Sequence, residues 1–321
     1  MRVNHGGPPA QGSNPLEVKA GLCFKCGFSR LAFVGAPVPR KSAPMPSSPA
    51  EEVPGMKPLS RLPVEKARAI RLVLTDIDDT ITSEGMLTAE AYAALENLHR
   101  AGFLVVPVTG RPAGWCDHIA RMWPVDAVVG ENGAFYFRYD RASRKMHQHF
   151  WASPEEFKRN RLKLIEIEKK VLAAVPGSAL ASDQPYRLAD LAVDFCEDVP
   201  ALPESEIDRI VAIFERAGAR AKVSSIHVNG WFGDYDKLSM AKTLLADVFG
   251  LDWERARDAV IYAGDSPNDE PMFAAFPLSV GVANIQAFAH RLKNKPAYIT
   301  QGHSGRGFAE LAALLLAAKR G

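Results

Sequence analysis

Short runs of apolar residues constrain this chain more than any other feature: IRLVLT from Ile70, FLVVPVT from Phe103, AVVG ending at Gly130 and DAVIYAG from Asp258. Each is too short to be a helix buried all round. A run of this kind suits a strand covered on both faces, which is the habit of parallel sheets flanked by helices. Between the first two runs lies LTAEAYAALENLHRAG, a helix pattern with Thr88 as N-cap and Gly102 as stop, so the first three segments read as a βαβ unit. A helix after Arg111 continues the alternation. Near the C-terminus PLSVGVA and PAYIT read as further strands, separated by the helical stretches PNDEPMFAAF and IQAFAHRLKN.

The middle of the chain has a different texture. AFYFRYD and KMHQHFW predict a hairpin, SPEEFKRNRLKLIEIEKKVLAAV a long charged helix, LAVDFC a strand and SEIDRIVAIFERAG an amphipathic helix before AKVSSIHVNGW. Strand and helix mix without regular alternation, which predicts an α+β module inserted between two parts of one parallel sheet. The expected division is a leader over 1–58, a core domain over 59–130 and 234–321, and an inserted cap over 131–233.

Composition excludes several classes. With 39 Lys and Arg against 37 Asp and Glu, the formal charge of +2 leaves no basic surplus for a phosphate backbone, so nucleic acid is not an expected partner. No apolar run approaches the roughly 20 residues that cross a bilayer, and the first residues lack the apolar core of a signal peptide. The chain reads as soluble and cytoplasmic, with no membrane partner, as a monomer or homodimer. Four cysteines in 321 residues are too few for a disulfide framework. The Pro-rich leader predicts disorder. Its Cys23 and Cys26 have a zinc-like spacing but no second ligand pair, and Met45 and Met56 are alternative starts.

In parallel sheets ligands bind beyond the carboxyl ends of the strands, so the residues that follow each run carry the chemistry. They are Asp76, Ile77, Asp78, Asp79 and Thr80 after the first; Thr109, Gly110 and Arg111 after the second; and Asp265, Ser266, Pro267, Asn268 and Asp269 after the strand at Val260. Two acidic clusters nearly two hundred residues apart would meet at one sheet edge. The repulsion between them is what a divalent cation offsets, and an all-oxygen donor set suits Mg²⁺. Taken singly, Asp, Thr and Gly after a strand are ordinary turn formers, and a lysine opening a helix, like Lys242 further along it, is a solvated charge.

DIDDT, VTG, Lys237 in DYDKLSMAKTLL and GDSPND, in this order and each after a predicted strand, resemble the haloacid dehalogenase superfamily, in particular the Cof-like subgroup with a large α/β cap of the C2B type. The resemblance covers Ile70 to the C-terminus and implies a Rossmann-like α/β core with an inserted α+β cap. It implies Asp76 as nucleophile forming an aspartyl-phosphate and Asp78 as general acid and base. Lys237 would stabilise the charge at the reacting group, while Thr109, Gly110 and Asn268 would hold the phosphoryl oxygens. Mg²⁺ would be held by Asp76, the Asp78 carbonyl, Asp265 and, directly or at one remove, Asp269. Asp79 departs from the pattern, where glycine is usual; it is tolerated if its turn keeps φ negative, and the alternative is a change in the charge of the metal site.

The cap carries weaker signals. Asn132 in GENGAFYF lies at the entrance hinge as a substrate contact or a plain turn residue. His227, Asn229 and Trp231 alternate along one strand and so share a face, toward either a sugar ring or the cap's own interior. Arg187 is a candidate for an anionic substrate group. The resemblance implies a Mg²⁺-dependent phosphatase of a small phosphorylated metabolite, most simply a sugar phosphate. The alternatives are a phosphomutase of the phosphomannomutase type and a catalytically idle binding protein.

Overall fold

The computed structural model describes residues 55–321. The leader's Cys23 and Cys26 and the alternative start Met45 lie outside the described residues.

Among the described residues, twenty-two helices and strands follow in chain order. The first part of the core holds β1 (Lys57–Pro58), α1 (Val64–Ala69), β2 (Leu72–Thr75), α2 (Ala89–Arg100), β3 (Leu104–Pro107), α3 (Ala113–Met122) and β4 (Val128–Gly130). A hairpin of β5 (Phe135–Asp140) and β6 (Lys145–Phe150) follows. The inserted module comprises α4 (Pro154–Ala174), β7 (Ala179–Leu180), β8 (Asp190–Asp194), α5 (Glu204–Arg216), β9 (Arg220–Val223) and β10 (His227–Trp231). The chain returns through α6 (Lys237–Phe249), α7 (Trp253–Ala256), β11 (Val260–Gly264), α8 (Glu270–Ala275), β12 (Ser279–Gly281), β13 (Tyr298–Ile299) and α9 (Ser304–Arg320).

The core sheet has the order β1-β13-β12-β11-β2-β3 with every pair parallel, so β2 and β11 lie side by side although 184 residues separate Thr75 from Val260. Every residue of β2 and β11 is buried, as continuous apolar runs between two helical layers require. Alternate strand residues face two hydrophobic layers: Val73 and Ile261 pack with α2, α3 and α9, while Leu74 and Tyr262 pack with α6 and α8. Thr88 caps α2 by accepting from the Ala91 N–H, and Gly102 takes φ of 79° just after the helix, both as the sequence predicts. The predicted helix at IQAFAHRLKN is instead a 3₁₀ turn over Ala283–Phe288.

Two boundaries differ from the sequence reading. Ordered structure reaches back into the expected leader, since Lys57 and Pro58 pair with Tyr298 and Ile299 and Met56 is 3% exposed. At the cap entrance, the hairpin β5–β6 belongs to the core. It extends antiparallel from β4, which touches the main sheet through a parallel bridge from Val129 to Val108, and its Phe135 and Phe137 pack in the core. The inserted module proper begins at α4, whose Ser153 N-cap accepts from Glu156 N. Its antiparallel sheet, β7-β8-β10-β9, carries α4 and α5 on one face around a separate hydrophobic cluster of Leu164, Ile210, Phe214 and Val228. Gly230 is required there, because a Cβ would stand 2.1 Å from the Phe214 ring. The opposite face of this sheet presents His227 and Asn229 to the core.

Candidate active site

The ends of β2, β3 and β11 converge with the start of α6. Asp76 follows β2 directly, is 3% exposed, and places Oδ1 3.0 Å from Lys237 Nζ. Lys237 is itself buried at the first position of α6, whose N-cap Asp236 forms a capping box with Ser239. Gly133 lets this helix start come close: a Cβ there would lie 2.1 Å from the Asp236 carbonyl oxygen. The Lys237 ammonium also donates to Asp269 Oδ1 at 2.7 Å.

Asp269 is saturated. Its Oδ1 accepts from Lys237 and from the Tyr262 hydroxyl at 2.5 Å, and its Oδ2 from the N–H groups of Asp265 at 2.9 Å and Ser266 at 3.2 Å. Gly264 makes room for it, since a Cβ at that position would stand 2.4 Å from Asp269 Oδ2. Asp265 is held by two lighter contacts, Thr80 Oγ1 at 3.4 Å and Asn284 Nδ2 at 3.0 Å, and Asn284 also donates to the Asp79 carbonyl.

Ligand oxygens of Asp76, Asp265 and Asp269 lie within 4.8 Å of one another, all buried. Three carboxylates share one ammonium. Burial, opposed by Lys237 and reinforced by Asp269 and Asp78, pushes Asp76 up to about 8. Burial together with Asp269 and Asp76 drives Asp265 well above the usual carboxylate range. Lys237 stays charged because Asp269 and Asp76 outweigh the burial that opposes it. Excess buried negative charge with oxygen-only donors fits a hard divalent cation. The fit is best for Asp76 and Asp265, which keep acceptor capacity. Asp269 was expected at the metal directly or at one remove; with four donors on it, it suits the second of these, fixing Lys237 and the 265–266 backbone.

Asp79 does not meet the condition of a negative φ. Its φ is 53°, in the left-handed region, which Asp tolerates better than most residues and glycine best. Its carbonyl is thereby turned to Asn284.

Thr109 is buried, and its hydroxyl oxygen accepts from Arg111 N at 3.1 Å, leaving the hydroxyl proton to donate. Asn132, at φ of 54°, accepts at Oδ1 from Asn268 Nδ2 at 3.3 Å, while its own Nδ2 is buried without a partner beside Gly110. Asn268 is steadied at Oδ1 by the Ser266 hydroxyl. The preceding Glu131, wholly buried, accepts from the N–H groups of Ala113, Leu188, Ala189 and Asp190, and so fastens the cap loop to the start of α3. Burial and Asp190 push its carboxyl up to about 7 against Arg187 and these N–H donors.

His227 and Asn229 do face the site, but each has a protein partner. His227 Nε2 stands 2.8 Å from Glu197 Oε2, and Asn229 Nδ2 donates to Asp190 Oδ2 at 2.9 Å. Trp231, on the same face, is structural: it stacks on Tyr235 at 5.6 Å and donates to the Tyr235 carbonyl. Arg187 is spent on Asp183, Asp190 and the Gly110 carbonyl.

Sequence reasoning placed Arg111 at its strand end without a role and missed its partners Asp183 and Glu197. This guanidinium, 4% exposed, binds Asp78 through Nε at 2.9 and 3.0 Å, Glu197 through Nη2 at 2.8 Å and Asp183 through Nη1 at 3.3 Å. The one available signal was its place directly after Thr109 and Gly110; Asp183 and Glu197 sit 72 and 86 residues away and carry none.

Asp76, Asp78, Gly110, Arg187, His227, Asn229 and Asn268 enclose a space of about 10 Å³, close to the minimum for one water and too small for a phosphoryl group. The cap is closed on the core. Beside it, past Asp78 and Arg111, a chamber of about 440 Å³ opens between Asp79, Glu84, Glu197 and Ser225.

Residues 73–167 match a family model described as haloacid dehalogenase-like hydrolase, a span that contains Asp76, Asp78, Thr109 and Asn132. No curated protein matches the sequence. Solved structures similar to this chain include the C-terminal domain of C. albicans trehalose-6-phosphate phosphatase, with TM-score 0.63 and 15% identity over 83% of this chain and 99% of that one. The sucrose-phosphatase of Synechocystis, solved with sucrose and phosphate, aligns with TM-score 0.53 and 15% identity over 77% and 98%. A putative HAD/COF-like hydrolase from Plasmodium vivax aligns with TM-score 0.55 and 17% identity over 79% and 99%. At such identities the likeness is one of fold.

Proposed function

We propose that this chain, a haloacid dehalogenase-like hydrolase by its family match and its fold, hydrolyses the phosphate monoester of a small polyhydroxylated metabolite, a sugar phosphate, through an aspartyl-phosphate. The observation that carries the reading is Asp76, buried at a strand end, ion-paired to Lys237 and walling the same small space as Asp78. The named phosphatases of sugar phosphates among the fold's neighbours support the substrate class.

The Asp76 carboxylate attacks phosphorus as the bond to the leaving oxygen breaks, and Asp78 delivers its proton to that oxygen. In the second step Asp78 takes a proton from water, which attacks the aspartyl-phosphate and frees phosphate and Asp76. Lys237, fixed by Asp269, lies beside the charge shared between Asp76 and the transferring group. The Thr109 hydroxyl proton, Asn268 and the Gly110 N–H are the phosphoryl donors, while the Arg111 N–H holds the Thr109 oxygen. Asp76 and Asp265, with the Asp78 carbonyl, would hold Mg²⁺, which when bound neutralises charge on the phosphoryl oxygens. His227 and Asn229, tied to Glu197 and Asp190, form the polar ceiling over the leaving group.

The chamber beside Asp78 supports hydrolysis over the mutase alternative. Asp78, Asp79, Glu84 and Glu197 line it, and its one basic residue, Arg111, is already shared among three carboxylates. A bisphosphate intermediate would need a second cationic site there. A nucleophile and an acid two residues apart equally favour an enzyme over an idle binder.

The test is phosphate release from a panel of sugar phosphates with Mg²⁺, for the wild type and for Asp76→Asn. Turnover that falls at least a thousandfold in the variant is expected; retention of a tenth of the wild-type rate removes Asp76 as nucleophile.

A further inference from the structure

Resting on that reading, we propose that Glu197 of the cap is a positioning residue for Asp78, acting through Arg111 when the cap is closed. Asp78 lies in the loop after β2, its side chain 15% exposed, and among the described residues its carboxylate accepts hydrogen bonds from Arg111 alone. A guanidinium is a rigid planar fork, so its orientation sets the plane of the carboxylate paired with it. That orientation is decided from the cap side. Arg111 Nη2 stands 2.8 Å both from Asp78 Oδ1 and from Glu197 Oε1, so one nitrogen bridges the core's acid and the cap's carboxylate.

Glu197 is a fixed reference. Its backbone N–H donates to Asp194 Oδ1 at 2.7 Å, its second carboxylate oxygen meets His227 Nε2 at 2.8 Å, and His227 is a residue of the central cap strand β10. Asp183, the other cap partner of Arg111, is committed more closely to Arg187, at 2.8 and 2.9 Å against 3.3 Å to Arg111. Glu197 is therefore the cap group that locks the fork. The ring of Trp115, 4.5 Å from the guanidinium carbon, attracts the cation from the core side but offers its N–H groups no acceptor that would set the fork's angle. With the cap open, Arg111 keeps Asp78 and Trp115 and loses the contact that sets its angle. Closure thus aligns the acid with the leaving oxygen at the moment water is excluded.

Alignment of a general acid matters only where the leaving group needs a proton. An alkyl phosphate such as a sugar phosphate needs one; p-nitrophenyl phosphate, whose leaving group is stable as an anion, does not. The experiment measures kcat and KM for both esters with the full chain and Mg²⁺ in the wild type, Glu197→Ala and Glu197→Gln, each also in an Asp78→Asn background. Glu197→Ala is expected to lower kcat for the sugar phosphate by about ten- to a hundredfold, part of the usual worth of a general acid, with KM changed less than about threefold. The p-nitrophenyl phosphate rate should stay within about twofold, which also shows that the variant is folded. Glu197→Gln, which keeps an acceptor oxygen toward Arg111, should recover most of the loss. In the Asp78→Asn background Glu197→Ala should add nothing, because the two act as one unit. Equal losses on both esters, or a change in KM alone, overturn the proposal while leaving the phosphatase reading intact. A wild type that releases phosphate from neither ester overturns the phosphatase reading and this inference with it.

Discussion

Asp269 offers the sharpest test of how the site is built, because its four donors favour a structural role where the motif alone leaves it a metal ligand directly or at one remove. In Asp269→Ala the Tyr262 hydroxyl and the N–H groups of Asp265 and Ser266 lose their acceptor in a wholly buried place. A buried polar group left unpaired costs about 1–3 kcal/mol, so the low end for these groups together is about 3 kcal/mol. Breaking a buried ion pair costs about 3–5 kcal/mol, but Lys237 retains Asp76 at 3.0 Å, and Asp76 and Asp265 are relieved of a repelling neighbour, which offsets much of that loss. The expected destabilisation is about 3–5 kcal/mol, a large share of the 5–15 kcal/mol typical of a folded protein. Tyr262→Phe, which removes one donor and strands none, should cost about 1 kcal/mol. Urea unfolding without added metal reads both: with a slope of about 3 kcal/mol per molar, the midpoint should fall by about 1–1.7 M for Asp269→Ala and by a few tenths for Tyr262→Phe. Mg²⁺ should still raise the midpoint of Tyr262→Phe. If Asp269→Ala moved the midpoint no further than Tyr262→Phe yet abolished the Mg²⁺-dependent rise, Asp269 would be a direct ligand and the saturation argument would be wrong.

Two further outcomes follow from the geometry. Asp79→Gly should leave the urea midpoint unchanged or raise it by up to about 1 kcal/mol in stability, since relief at φ of 53° competes with the greater freedom of glycine in the unfolded chain; Asp79→Val at the same place should lose about 2 kcal/mol or more. Glu197 is held down to about 2 because His227 and Arg111 outweigh the burial that would raise it. Its contribution is therefore present above the ordinary value of 4.5 and is lost as pH falls from there toward 2, on the order of 2–3 kcal/mol. Acid unfolding of Glu197→Gln should be shallower over that window, and an unchanged slope would show that Glu197 does not anchor the closed cap.

Much of the molecule was legible before its structure. Runs such as LVLT and VIYAG can only be satisfied between two apolar layers, so β2, β3 and β11, the parallel sheet and the acidic residues at its edge followed from local patterning. The helix limits at Thr88 and Gly102 were written in capping chemistry. The alternation of His227, Asn229 and Trp231 correctly put them on one face, because strand periodicity is local too.

Tertiary structure alone decided what those side chains do. Trp231 meets Tyr235, Asn229 meets Asp190, and His227 meets Glu197. Arg111 gathers Asp78, Asp183 and Glu197 from three parts of the chain, and Asp269 accepts from Lys237, Tyr262 and the N–H groups of Asp265 and Ser266. The hairpin at Phe135 joined the core because β4 offered it an edge, a fact of sheet order that no periodicity records. Hydrophobic period and capping are properties of neighbours within a few residues, and a sequence displays them. A buried charge must instead find its partner wherever the fold brings one within about 3 Å, and that choice exists only once the cap lies on the core.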